Sequence, residues 1–211
     1  MTNKDKKRTG KTRPTAVLGT VPPRWAPYKT RRDREYLTQK EVERLIAAAK
    51  ARRRRYGLRD ATMILVAFRH GLRVSELCML RWDQIDFANG KLHVRRLKNG
   101  MPSVHLIGGE ELRALRALKR DDAAGRYVFL SERGAPMTRA GFGKMLARLG
   151  NAAKFQFRVH PHMLRHATGY KLANEGHDTR SLQHYLGHKN IAHTVRYTEL
   201  SPERFKDFWE D

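Results

Sequence analysis

The spacing of the apolar residues changes twice along this chain, and those changes restrict the fold more than any other feature. Val42, Leu45, Ile46 and Ala49 fall at helical spacing and form one stripe facing a core. Thr38 followed by Glu41 supplies a capping box ahead of them, in which the hydroxyl accepts from a free helix N–H while the carboxylate reaches back. The basic run Arg52 to Arg55 closes this helix, where cations suit the dipole. A second helix is predicted over Leu58 to Arg69, with Ile64, Leu65 and Phe68 inward. Gly71 breaks it, and a third short helix runs through Val74, Leu77 and Leu80. The period then drops to two: Ile85 and Phe87 alternate, Asn89-Gly90 signals a hairpin turn, and Leu92 and Val94 alternate again. Asn99-Gly100 offers a second turn before Val104 and Leu106. Helical spacing resumes over Glu110 to Arg120, Thr138 to Leu149, Pro161 to Glu175, Thr179 to Leu186 and a short segment around Thr194, with an extended piece at Tyr127 to Leu130. The prediction is a mainly α domain with a small three-stranded antiparallel β-sheet and no internal repeat.

With 211 residues there is room for one such domain and a tail. Residues 1–34 hold eleven Lys or Arg against two acids, with Pro14, Pro22, Pro23 and Pro27 interspersed, which leaves little apolar surface to bury. They read as a basic, mobile arm, with Trp25 and Tyr28 hinting that its last portion docks on something. Residues 35–211 read as the folded domain. The whole chain carries 44 Lys and Arg against 21 Asp and Glu, a net charge of +23, which points to a polyanionic partner, nucleic acid above all. Charge by itself says nothing about catalysis. Cys78 is the only cysteine, so no intrachain disulfide or thiolate cluster is expected, and it reads as a small core residue. No stretch is long and apolar enough to span a membrane, and the N-terminus has no signal-peptide run, so a cytoplasmic protein is expected.

The residues that carry chemistry lie at two places. Gly71-Leu72-Arg73-Val74-Ser75-Glu76-Leu77 puts an Arg near an acid at a helix start. His160-Pro161-His162-Met163-Leu164-Arg165-His166 opens another helix, with His162 and Arg165 on neighbouring points of one face. Leu186-Gly187-His188 follows, where Gly187 can end a helix, and Tyr197 lies nine residues beyond His188. Two Arg forks and a His donor can stabilise the charge that develops on phosphoryl oxygens. A Tyr hydroxyl can then attack, given a base or a strongly positive site. Each residue alone has a plainer reading: Tyr197 as packing, Arg73 as the salt-bridge partner of Glu76. His162 with His166, and His184 with His188, have metal-ligand spacing, but no Cys and no acidic third ligand joins them. No metal and no cofactor are expected.

Taken together, these segments resemble the catalytic domain of the tyrosine recombinase (phage integrase) family in order and spacing, over about residues 36–205. The family's Gly-Leu-Arg-x-Ser-Glu-Leu segment, hairpin Lys, His-x-Leu-Arg-His box, Leu-Gly-His turn and following Tyr are matched by Arg73, Lys98, His162 with Arg165 and His166, His188 and Tyr197. The resemblance implies that Tyr197 attacks the scissile phosphate to leave a 3′-phosphotyrosine and a free 5′-hydroxyl. It implies that Arg73, Arg165 and His188 hold the phosphoryl oxygens and that Lys98 protonates the leaving oxygen. Lys91, Arg95 and Arg96 share the hairpin with Lys98 and stay open for that task. His162 would assist proton transfer at the nucleophile, His166 would support it, and Glu76 would organise the Arg cluster. Larger members carry a helical core-binding domain ahead of the catalytic one, and here only the basic arm stands there. In that respect the chain is similar to the short fimbrial phase-variation invertases, as it is in Asp178-Thr179-Arg180 and His193-Thr194-Val195-Arg196-Tyr197. The implied activity is site-specific recombination of duplex DNA by inversion, integration or excision. The implied assembly is a homotetramer on synapsed DNA, with accessory DNA-bending proteins possible partners. Phe205, Phe208 and Trp209 lie at helical spacing on a short C-terminal helix that closes its own core or docks on a neighbouring protomer. A type IB topoisomerase, a catalytically idle DNA-binding regulator and a metal-dependent nuclease are the competing readings.

Overall fold

The structure, a computed structural model, describes residues 35–52, 56–96, 100–121 and 125–199. The basic arm, Lys98 with the Asn99 of its turn, and the C-terminal segment with Phe205, Phe208 and Trp209 lie outside the described residues. Among the described residues eight α-helices and one small sheet follow in the order α1 (Gln39–Ala51), α2 (Gly57–His70), α3 (Val74–Cys78), β1 (Ile85–Asp86), β2 (Lys91–Val94), β3 (Ser103–Leu106), α4 (Gly109–Asp121), α5 (Arg139–Ala152), α6 (Pro161–Asn174), α7 (Thr179–Leu186) and α8 (Ala192–Thr198).

Local chemistry sets most of these starts. Before α1 the Glu41 N–H donates to the Thr38 hydroxyl at 3.3 Å, and the Thr38 N–H donates to the Glu41 carboxylate at 2.8 Å, closing the capping box. Simple side-chain caps start α5 and α7, with Thr138 accepting from the Gly141 N–H and Asp178 from the Arg180 and Ser181 N–H groups. Pro161 occupies the first turn of α6, where a missing N–H costs nothing. α2 and α7 both end on a glycine in the left-handed region, Gly71 at φ 54° and Gly187 at φ 65°, which a side chain would strain.

α2 is the central element, packed by α1, α4 and α6 and buried along most of its length, including Met63, Ile64, Val66 and Ala67. The main core continues through Leu77, Phe129, Phe142, Leu146, Leu149 and Leu164. A second, smaller cluster of Ala173, Leu182, Leu186 and Tyr197 joins α6, α7 and α8. Cys78 is buried in the main core.

Two local expectations change. α3 stops at Cys78 because the chain beyond it pairs sideways: the Val128 N–H donates to the Leu80 carbonyl, and Arg81 bridges Tyr127. Tyr127–Leu130 accordingly makes isolated bridges and no strand of its own. Phe87 falls outside β1 because the Asp86 carboxylate accepts from the Ala88 and Asn89 N–H groups and turns the chain there. On β3 the register settles which face is inward. The antiparallel register pairs Leu92 with His105 and Val94 with Ser103, so the inward face of β3 is polar. His105 is 3% exposed, whereas Val104 and Leu106 are 57% and 78% exposed. Alternation locates the two faces of a strand but not which one the register turns inward. Among the described residues no helix is long and apolar enough to cross a membrane.

Candidate active site

The two glycine turns bring the site together. Arg165, on the second turn of α6, reaches between them: one guanidinium nitrogen donates to the Gly71 carbonyl and the other to the Leu186 carbonyl at 2.7 Å. It therefore ties the end of α2 to the end of α7. Burial, together with the nearby positive charges of Arg73 and Arg96, lowers its pKa to about 9. Arg73 stands at the start of α3, donating to the Glu76 carboxylate at 2.8 Å and to the Gly187 carbonyl at 3.2 Å. Burial alone would raise the Glu76 carboxyl, but the Arg96 guanidinium and hydrogen bonds from Arg73 hold it below the usual carboxylate range.

His188 follows Gly187 and is buried, with Nδ1 at 2.8 Å from the Thr194 hydroxyl and its carbonyl accepting from Gln183 at 3.0 Å. Burial first, then Arg165 and Arg73, push its pKa down to about 3, so the ring is neutral at pH 7. Tyr197, on α8, is 2% exposed and sits in the smaller apolar cluster. Its ring meets Tyr170 edge-on at 5.1 Å and runs near-parallel to His188 at 6.3 Å. The floor beneath it is Gly169, where an added Cβ would lie 2.7 Å from the ring. Burial raises the phenol pKa, while Arg165 and Arg196 pull against that rise.

The ring that touches the Tyr197 hydroxyl is His166, with Nδ1 at 2.8 Å. Burial and the Arg196 charge push His166 down to about 4, so it too is neutral at pH 7, and in the tautomer protonated on Nε2 its Nδ1 accepts a hydrogen bond from the phenol. His162 is exposed, with its ring 6.4 Å from that of His166. The candidates Arg73, Glu76, Arg165, His166, His188 and Tyr197 thus come together, His162 stands at their edge, and Lys98 lies outside the described residues. Among the other hairpin cations, Arg96 is buried against Glu76 at 2.9 Å, and Arg95 lies exposed, 3.7 Å from Asp83. Among the described residues no three His, Cys, Asp or Glu side chains gather as a metal site.

Arg73 and His188 also line an open groove of about 660 Å³ with Arg180, Gln183, Lys189 and His193. Sequence reasoning did not single out Gln183, Lys189 or Thr194 for the site. Gln183 and Lys189 are marked in the chain only by nearness to His188, and Thr194 by its place in the His193–Tyr197 segment. A second hollow of about 640 Å³, lined by Val42, Ile46, Phe68 and Glu110 among others, lies among α1, α2, α4, α6 and α7 and contains none of the cluster.

A buried phenol on a neutral imidazole, with two guanidinium groups and a second imidazole around it, has the parts for transferring a phosphoryl group to tyrosine. The phage integrase family model matches residues 35–204. The chain is 41% identical over 183 residues to the type 1 fimbriae regulatory protein FimE of Escherichia coli K12, covering 84% of this chain and 91% of that one. It is 35% identical over 159 residues to the tyrosine recombinase XerC of Bacillus pumilus, covering 71% of this chain and 52% of the other. The crystal structure of XerA recombinase superposes with a TM-score of 0.72 at 29% identity, covering 83% of this chain and 65% of that one. The chain thus spans nearly all of the fimbrial relative and less than two thirds of the larger recombinases. The mainly helical architecture with its three-stranded sheet is that of the tyrosine recombinase catalytic domain. By the family model and by this degree of identity, the chain belongs to the phage integrase family.

Proposed function

We propose that this chain is a tyrosine-type site-specific recombinase acting on duplex DNA, with Tyr197 as its nucleophile. The observation that carries the reading is the 2.8 Å contact between the Tyr197 hydroxyl and His166 Nδ1, inside the field of Arg165. The Tyr197 oxygen attacks the scissile phosphorus as its proton passes to His166. The P–O5′ bond breaks, leaving a 3′-phosphotyrosine and a 5′-hydroxyl. Resemblance assigned the proton transfer to His162, and the direct contact favours His166, with His162 outside it. Arg73, Arg165 and His188 stabilise the nonbridging oxygens. Lys98 supplies the proton to the leaving oxygen. Glu76 holds Arg73 in place. Attack of a 5′-hydroxyl on the phosphotyrosine reverses the steps, and because that bond conserves the phosphodiester's energy, rejoining draws on no external source.

The groove beside Arg73 and His188, with Arg180 and Lys189 on its walls, supports a phosphate backbone as the occupant. The basic arm at residues 1–34 would follow the same backbone outside the folded domain, and the outcome would be inversion, integration or excision on a homotetrameric synapse. A duplex selected by the protein from a random-sequence pool, then nicked next to the cleavage point, should trap a covalent protein–DNA adduct. Tyr197→Phe should abolish the adduct while leaving duplex binding within about threefold of the wild type. An adduct formed by the Phe variant would falsify the assignment of the nucleophile.

A further inference from the structure

Arg96 is the most unusual charged residue outside the proposed catalytic set. Its side chain is completely buried, a costly place for a guanidinium unless several partners hold it. One terminal nitrogen donates to Glu76 at 2.9 Å, on the carboxylate oxygen opposite the one that holds the Arg73 side chain. The other donates to the Tyr185 carbonyl and stands 3.4 Å from the Ser103 hydroxyl. Its stem runs directly beneath the Gly187 turn: a Cβ on Gly187 would lie 2.5 Å from Arg96 Nε, and one on Gly100 would lie 2.8 Å from Arg96 Cβ. Arg96 therefore touches α3, the hairpin and the end of α7 at once.

Behind it stands a polar chain that the proposed chemistry does not use. Ser103 lies 2.9 Å from His105 Nε2, His105 Nδ1 lies 3.2 Å from His70 Nδ1, and His70 Nε2 lies 3.1 Å from Glu111. The His105 ring stacks on Tyr185 at 3.9 Å, which backs the carbonyl that accepts from Arg96. This is the polar inward face of β3, and it braces Arg96 from the side away from the site. An apolar residue of the same volume would fill the space with less desolvation, but it could not join three elements by directional bonds.

We propose that Arg96 is a positioning residue for strand cleavage: through the shared Glu76 carboxylate and the Gly187 turn it sets Arg73 and His188 at their working separation. This rests on the reading of Arg73, His188 and Tyr197 given above. Arg73 is held by Glu76 on one side and by the Gly187 carbonyl on the other, and Arg96 touches both holders. Loss of the fork frees Glu76 to tilt and leaves the turn unsupported.

The test uses the full chain and the selected, nicked duplex. Arg96→Met keeps the bulk and removes the fork, and should slow single-turnover adduct formation about 100-fold while duplex affinity moves less than about threefold. Arg96→Lys keeps the charge but cannot reach all three acceptors, and should be slowed roughly tenfold. Circular dichroism establishes that each variant is folded at the assay temperature. If Arg96→Met does not fold, the Lys variant decides, and a wild-type rate there overturns the proposal. Cleavage by folded Arg96→Met within about threefold of wild type, or equal losses of rate and affinity, overturns it as well. A wild-type protein that forms no adduct, or a Tyr197→Phe variant that still forms one, refutes the underlying site reading, and the proposal falls with it.

Discussion

Gly169→Ala sets two physical effects of opposite sign against each other at the nucleophile. Gly169 lies inside α6, where replacing glycine with alanine normally stabilises a helix by about 1 kcal/mol. Here the new methyl would stand 2.7 Å from two carbons of the Tyr197 ring and 2.8 Å from a third. Carbon atoms pack best at roughly 3.5–4.0 Å, so the ring or α6 must yield by about 0.8 Å. The ring has little room, with Tyr170 edge-on at 5.1 Å and His188 alongside at 6.3 Å. Overpacking of this kind costs roughly 1–3 kcal/mol, which cancels or exceeds the propensity gain and leaves a net loss of up to about 2 kcal/mol. The same displacement would part the Tyr197 hydroxyl from His166, so adduct formation should fall, by as much as about 100-fold for a shift near 1 Å. Urea unfolding of four proteins reads the balance: wild type, Gly169→Ala, Tyr197→Ala and the double variant. With the ring gone the clash disappears, and Gly169→Ala should then stabilise by about 1 kcal/mol. Stabilisation by Gly169→Ala in both backgrounds would refute the close-packed seat for the ring.

Arg165→Ala should cost more than catalysis, because the Gly71 and Leu186 carbonyls both lose their donor. A stability loss of about 2–5 kcal/mol in urea is expected, with cleavage by the remaining folded protein reduced far more than binding; a loss below about 1 kcal/mol would contradict the bridging role. Acid should also destabilise the fold through three imidazoles, two of them buried and the third, His166, half-buried. Burial, reinforced by neighbouring positive groups, holds His105 and His188 at about 3 and His166 at about 4, against an ordinary value of 6.5. The native state therefore refuses protons that the unfolded chain accepts. The stability these neutral rings contribute is fully present above about pH 6.5 and is lost as pH falls toward their native values, at up to about 1.4 kcal/mol per pH unit for each ring. Urea midpoints at pH 7 and pH 5 measure this, and replacing His105 by Gln should flatten the slope; equal midpoints would count against burial of the neutral rings.

Features that depend on near neighbours are legible in the chain alone. Thr38 with Glu41 marks the start of α1, Gly71 and Gly187 end α2 and α7, and the change of period between Ile85 and Leu106 marks the hairpin region. The order and spacing from Arg73 to Tyr197 carried the family resemblance, because a motif is a statement about the chain and needs no coordinates. The remaining features follow from contacts between distant segments. Nothing local distinguishes Arg96 from Arg95, yet one is completely buried on Glu76, twenty residues away, and the other is exposed. Alternation on β3 leaves open which face turns inward, and the pairing of Leu92 with His105 turns Val104 and Leu106 outward. The resemblance put His162 ahead of His166 at the nucleophile, and only the packing of α8 against α6 sets the Tyr197 hydroxyl on His166. In each case the decision is a contact between distant segments, made when whole elements find the arrangement that buries apolar surface and still satisfies the polar groups caught inside it.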